Sequence, residues 1–446
     1  MDYFQLSATQ AAAAIRNGEC TSVELVQSCI ERIQSLEDAI GAWAHFDPEY
    51  VLVQARAADD RRQSGASLGA LHGVPVGIKD IFDTHDMPTE YGTVLHAGHS
   101  PAEDATAVAQ LRQAGAIIMG KTVTTELAVF APGKTTNPHD AARTPGGSSS
   151  GSAAAVAAGM VPLAIGSQTN GSTIRPASYC GVFGFKPSHG LISRHRVLKE
   201  SQLLDHVGVF GRSVEDVALI AEQMMAFDAQ DPDLKPRARP ALLETATSEP
   251  PMPPRLAFIR TPMWDQADED IHGAFKELAQ HLGERVDEIS LGDTYLEALD
   301  WHRIIMETDL ALNFESQYQH GKEQLSDVLR EMIERGLETK AVDYNRAVTM
   351  PPTLRKGLDE IFSEYDAVLT PATTGEASIG LESTGSPVFC TLWTLLGLPA
   401  ISLPLMQGSN GMPIGVQLVS SKGDDARLLR TAQWLVNTLD VQADDE

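Results

Sequence analysis

Near the start of the chain, apolar positions recur at helical spacing in two segments. Ser7 precedes ATQAAAAIRNG and Ser22 precedes VELVQSCIERIQSL, each serine placed to accept from the free amides of a first turn, so the pattern predicts two amphipathic helices. Polar spacing around Ala55 to Asp60 predicts a third. GVPVGIKD reads as a short apolar strand that ends at Lys79 and Asp80, setting a basic side chain at a strand end. Asp104 to Ala114 reads as a helix stopped by Gly115 and AIIMG as a buried strand, and AAAVAAG followed by VPLAIG repeats the alternation, which predicts an α/β fold.

From Asp231 to Arg255 the chain holds seven prolines and reads as a crossover rather than a core element. RLAFI predicts a strand, residues from about Asp268 to Met350 are helical, YDAVLTPA and PAISLPL are two further apolar runs, and DDARLLRTAQWLVNTL closes with a helix.

Composition adds bounds. With 446 residues, 43% hydrophobic and 21% charged, the chain is expected to bury a sizeable core. Sixty acidic against 34 basic residues leave a net charge of -26, from which neither nucleic acid nor an anionic membrane surface is expected as a partner. Cys20, Cys29, Cys180 and Cys390 form no CxxC pair and no apolar run reaches the ~20 residues that span a bilayer, so a cytoplasmic protein with reduced thiols is expected. His96 and His99 lack an H-E-x-x-H context and read as loop histidines, with no metal and no cofactor expected.

Three motifs compete to carry chemistry. Gly115 to Thr122 satisfies GxxxxGK[ST], but its AIIM is an apolar strand where a phosphate loop needs exposed amides. Gly147-Ser148-Ser149-Ser150-Gly151 satisfies GxSxG, which would make Ser149 a nucleophile, but the elbow lacks its preceding apolar strand. The third motif is longer: TPGGSSSGSAAAVAAGMVPLAIGSQTNGSTIRPASYCGVFGFKPSHG, from Thr144 to Gly190. Its Ser/Gly block, small-residue helix, second Gly-Ser loop, arginine-proline element and G-F-K-P turn closely resemble the amidase signature family. GVPVGIKD, DATAVAQLRQAGAIIMGKTVTTELA, YDAVLTPA, GLPAISLP and PIGVQLV extend the resemblance over nearly the whole chain.

That resemblance implies one large α/β domain over residues 1–446, with a central mixed, twisted β-sheet covered by helices on both faces. Residues of about 230–365 resemble the family least and are expected to shape the substrate site. The implied catalytic set is Lys79 as base, Ser148 as proton relay behind a cis peptide from Gly147, and Ser172 as nucleophile. Backbone amides of Thr169, Asn170, Gly171 and Ser172 are the implied oxyanion hole. Lysine works as a base only when neutral, which burial favours, and a pKa of ~7 to 8 suits neutral pH. Arg175 reads as structural and Cys180 as a small core residue.

Departures bear on substrate rather than on that set. Many family members carry Thr-Asp-Thr-Gly-Gly-Ser where this chain has Ser167-Gln168-Thr169-Asn170-Gly171-Ser172; Gln168 removes a charge, and Asn170 suits a left-handed backbone in place of glycine. Gly171 is expected to let backbone approach the substrate. Ser150 replaces a further glycine, and Arg175 is displaced by one place. Tyr91, Leu127, Ala128, Phe130 and Trp393 are expected to line the pocket with the helical region near Trp301 to Phe314. Expected function is hydrolysis of linear carboxamides, extending to aryl amides, carbamates and esters, on a small-molecule substrate, with homodimerisation left open. The alternative is the amidase subunit of a tRNA-dependent glutamine amidotransferase.

Overall fold

The computed structural model describes residues 2–443. Eleven strands form one sheet: β1 (Trp43–His45), β2 (Pro75–Lys79), β3 (Ile117–Thr122), β4 (Leu163–Gln168), β5 (Phe183–Lys186), β6 (His206–Gly211), β7 (Leu256–Arg260), β8 (Val286–Ser290), β9 (Ala367–Pro371), β10 (Ala400–Gln407) and β11 (Pro413–Val419). Their order across it is β1-β3-β2-β4-β6-β5-β10-β11-β9-β7-β8. β2 runs parallel to β3 and β4, and β7 parallel to β8 and β9, while the middle from β4 through β6, β5, β10 and β11 is antiparallel. The result is a single mixed α/β domain flanked by helices, as the resemblance implies.

Local rules explain most elements. Ser7 caps the helix Ala8–Asn17 with Gln10 completing a capping box. The next helix, Ser22–Ile40, is capped one residue earlier than its sequence suggests: Thr21 accepts from the Glu24 amide and Glu24 returns the bond, leaving Ser22 inside the first turn. The phosphate-loop pattern is absorbed into β3, where the Lys121 ammonium is buried against Asp80, 3.2 Å away, and bonds the Phe82 carbonyl. FGFK, whose glycine and following Pro187 suggest a turn, is strand β5, and VDEIS adds edge strand β8 within a region that reads as helical throughout.

Two large hydrophobic clusters hold the fold, beside a small one of Tyr179, Ala377 and Met412. The larger joins the helices at the start of the chain and Asp425–Ala443 to the sheet. The smaller gathers the helices Glu297–Asn313, Asp327–Glu338 and Pro351–Glu364 around Trp301, Phe314 and Trp393. The ends of the parallel strands β2 and β4 bring Lys79 and Ser167 to one place.

Candidate functional site

Lys79, last residue of β2, has no exposed surface, and its Nζ lies 2.6 Å from Ser148 Oγ and 2.7 Å from Ser167 Oγ. Burial pushes its pKa from 10.5 down to about 7, against an upward pull from Glu200 and Asp205. Ser148 follows a cis peptide from Gly147, and its carbonyl accepts from the Thr125 amide. Ser149, the competing nucleophile, is completely buried: its hydroxyl donates to the Ser167 carbonyl and accepts from the Ser167 amide, both at 3.2 Å. It is a strut between the helix Ser150–Ala157 and β4. A Cβ on Gly166 would stand 2.5 Å from that hydroxyl, which is why β4 carries glycine there.

Ser172 sits in the turn between β4 and the helix Ile174–Cys180, 8% exposed, and among the described residues its hydroxyl makes no hydrogen bond. The turn is tied down by its carbonyls. His302 Nε2 lies 2.8 Å from the Thr169 carbonyl, Thr394 Oγ1 donates to that of Asn170 at 2.6 Å, and the Arg175 amide to that of Gly171 at 3.0 Å. Burial pushes the His302 pKa down to about 4, so a neutral imidazole donates here. Among the described residues the amides of Thr169, Asn170, Gly171 and Ser172 donate to no protein acceptor. A turn with engaged carbonyls and free amides can receive a negative oxygen.

The departures from the family pattern acquire physical roles. Gln168 Oε1 accepts from the Thr173 and Ile174 amides at 2.8 and 3.0 Å and its Nε2 donates to Thr394, so a neutral amide caps the short helix. Asn170 is not in the left-handed region; its side chain instead accepts from Thr391 Oγ1 at 2.7 Å. A Cβ on Gly171 would meet Pro387 Cβ at 2.9 Å and Cys390 Cβ at 3.3 Å, so close packing against the helix Val388–Leu395 demands this glycine. Arg175 is buried and donates to the Gly147 carbonyl at 2.7 Å and to Thr384.

The other expected residues divide. Tyr91, Leu127 and Ala128 all have positive φ (56°, 45° and 61°) although none is glycine, and the Leu127 amide bonds the Tyr91 carbonyl. This strained segment adjoins Thr125, which contacts Ser148, and such clustering is a feature of functional sites. Tyr91 and Phe130 are half-buried, whereas Leu127 and Trp393 have no exposed surface and belong to the smaller core. His96 and His99 pack around Tyr91. Ser167, Glu200 and Asp205, which sequence reasoning passed over, also converge on this site, as does His302, from the helical region near Trp301 to Phe314 expected to line the pocket. Ser167 lies within the long Ser/Gly motif, but Glu200 and Asp205 lie beyond it and carry no spacing signal.

Among known proteins, the family model described as Amidase matches residues 24–429. The chain is 33% identical to a glutamyl-tRNA(Gln) amidotransferase subunit of Chloroflexus aggregans, covering 95% of this chain and 94% of the relative. It is 34% identical to the protein of the same name from Symbiobacterium thermophilum, covering 96% and 95%. Native peptide amidase from Stenotrophomonas maltophilia superposes with a TM-score of 0.85 at 26% identity over 98% of both chains. A chain from a vestigial protein complex tied to the origins of an s-triazine catabolic enzyme reaches 0.91 at 26% identity over 97% and 98%.

These relatives overturn one expectation. Excluding nucleic acid on the ground of net charge does not stand, because near-full-length relatives belong to an enzyme that carries a tRNA in its name. Net charge sums the whole surface, whereas screening confines each charge to about 8 Å at physiological salt. It says nothing of what a neighbouring protein presents to RNA.

Proposed function

The chain belongs to the amidase family and is an amidase-family hydrolase of carbon–nitrogen bonds; within that family we propose that it cleaves carboxamides through an acyl-enzyme on Ser172. The observation that carries this reading is the buried Lys79 in contact with Ser148 Oγ, at the end of β2, with a serine turn of free amides following the end of the parallel strand β4. Neutral Lys79 takes the Ser148 proton while Ser148 takes that of Ser172, whose Oγ bonds to the amide carbon. The carbonyl oxygen becomes an anion held by the amides of Thr169 to Ser172. The relay then returns the proton to the departing nitrogen as the carbon–nitrogen bond breaks. Water, activated through the same relay, releases the acid and restores Ser172.

Two settings share this chemistry. The curated relatives favour the amidase subunit of a tRNA-dependent amidotransferase, with glutamine as the amide and partner proteins completing the enzyme, over a free-standing amidase acting on small carboxamides. The peptide amidase likeness supports the latter, in which aryl amides, carbamates and esters are further candidate substrates. A serine-directed fluorophosphonate is expected to label the purified chain, Ser172→Ala to abolish labelling and Lys79→Ala to slow it at least roughly a hundredfold; full labelling of Ser172→Ala would overturn the nucleophile. Glutamine turnover that appears only with partner proteins identifies the first setting, and turnover of simple amides by the chain alone the second.

A further inference from the structure

Beyond Ser167, whose hydroxyl lies 2.7 Å from Lys79 Nζ, lies a group of polar atoms that the proposed chemistry does not use. β4 pairs antiparallel with β6, Ser167 opposite Val207 and Gln168 opposite His206, so the next pair outward is Thr169 opposite Asp205. Ser167 and Thr169 are two residues apart and share a face. Both line a cavity of about 240 Å³ whose walls also include Glu200, Asp205 and His206. Thr169 Oγ1 lies 2.9 Å from Glu200 Oε1 and 2.7 Å from Asp205 Oδ1. A hydroxyl has one hydrogen, yet two oxygen–oxygen contacts of this length each require one. One of the carboxyls supplies the second.

Geometry says which. Asp205 Oδ2 accepts the amides of Glu200 and Ser201 at 2.9 and 3.0 Å, bonds that favour its anion. Among the described residues the Glu200 carboxyl has only the Thr169 hydrogen bond, and its Oε2 is buried with no partner. We infer that Glu200 and Asp205 are positioning residues for the Lys79 base: sharing one proton through Thr169 Oγ1, with Glu200 holding it, they place a single negative charge behind the lysine. Two charges would keep Lys79 protonated, and none would leave it too weak a base to draw the proton from Ser148.

The surrounding charges fit this arrangement. Burial pushes the Glu200 pKa well above the usual carboxylate range, and that of Asp205 only to about 6. Arg194, which also faces Asp205, is held by Asp231 and Asp233. Burial pushes the pKa values of His206 and His302 down, and His195, Arg196 and Lys199 also line the cavity.

This inference rests on the proposed Lys79 base, and one experiment separates the two: the pH dependence of fluorophosphonate labelling for the unmodified protein, Asp205→Asn and Glu200→Gln. Asp205→Asn is expected to move the acid limb down by about one pH unit, because an opposite charge near a lysine holds its proton. Glu200→Gln keeps a neutral donor to Thr169 and is expected to leave the limb in place. An unmoved limb in Asp205→Asn, or an equal shift in Glu200→Gln, overturns the pair while leaving Ser172-dependent labelling intact. Labelling of Lys79→Ala at the rate of the unmodified protein instead overturns the base. Should either variant fail to fold, infrared spectra of the full chain carrying carboxyl-13C glutamate decide: a protonated glutamic acid stretch that shifts with the label is expected at pH 7, and its absence refutes the shared proton.

Discussion

Replacing Lys79 with methionine tests the energetics of the site as well as its chemistry. Folding takes an ammonium whose pKa is 10.5 to a place where it is about 7, and at about 1.36 kcal/mol per pH unit the mismatch costs about 5 kcal/mol when the unfolded lysine is charged. The sign follows from proton binding. Between pH 7 and 10.5 the unfolded state binds more protons than the folded one, so stability rises with pH across that window; below pH 7 both states are protonated and the full penalty applies. Methionine removes the penalty but leaves the hydroxyls of Ser148 and Ser167 short of a partner, at about 1 kcal/mol each. Net stabilisation of about 3 kcal/mol is expected at pH 6, roughly 3 °C in melting temperature for a chain of this size. From pH 7 to pH 9 the gap between variant and unmodified protein is expected to close by about 2 kcal/mol. Calorimetry at pH 6, 7 and 9 measures both quantities, with fluorophosphonate labelling as the activity control. A variant less stable than the parent at pH 6, with a gap that ignores pH, would refute a buried neutral lysine. A more stable but unreactive variant would show stability given up for function.

Other expectations follow from single contacts. Labelling of the unmodified protein should have an acid limb with its midpoint near pH 7, set by the neutral fraction of Lys79, and a rate flat down to pH 5 would contradict this. Ser149→Ala removes two buried bonds to the Ser167 backbone and should lower stability by about 1–3 kcal/mol in denaturant unfolding, without abolishing labelling; abolition at intact fold would restore Ser149 as a nucleophile candidate. Gly171→Ala forces a Cβ to within 2.9 Å of Pro387 and should displace the amide turn, slowing labelling by roughly tenfold or more, whereas an unchanged rate would exclude that turn as the oxyanion site.

What could be read from the sequence, and what could not, follows from the range of the interactions involved. Capping at Ser7 and Thr21, the buried strands β2, β3 and β4, and the proline-rich crossover are local, and periodicity or turn chemistry finds them to within a residue or two. β5 and β8 escape because FGFK is four residues long with a turn-like glycine and following proline, and VDEIS has no alternation of its own; neighbouring strands supply their bonds. The site divides in the same way. Lys79, Ser148 and Ser172 lie in motifs whose glycines and serines are legible together, although Asn170 and Gly171 owe their presence to Thr391 and Pro387, more than 200 residues away. Glu200 and Asp205 show only as LKESQLLD, an ordinary polar stretch, until β6 returns antiparallel beside β4 and its register carries Asp205 to Thr169. A carboxyl's charge in such a place depends on how many hydrogens its neighbours can lend, and that number is decided by three-dimensional contact.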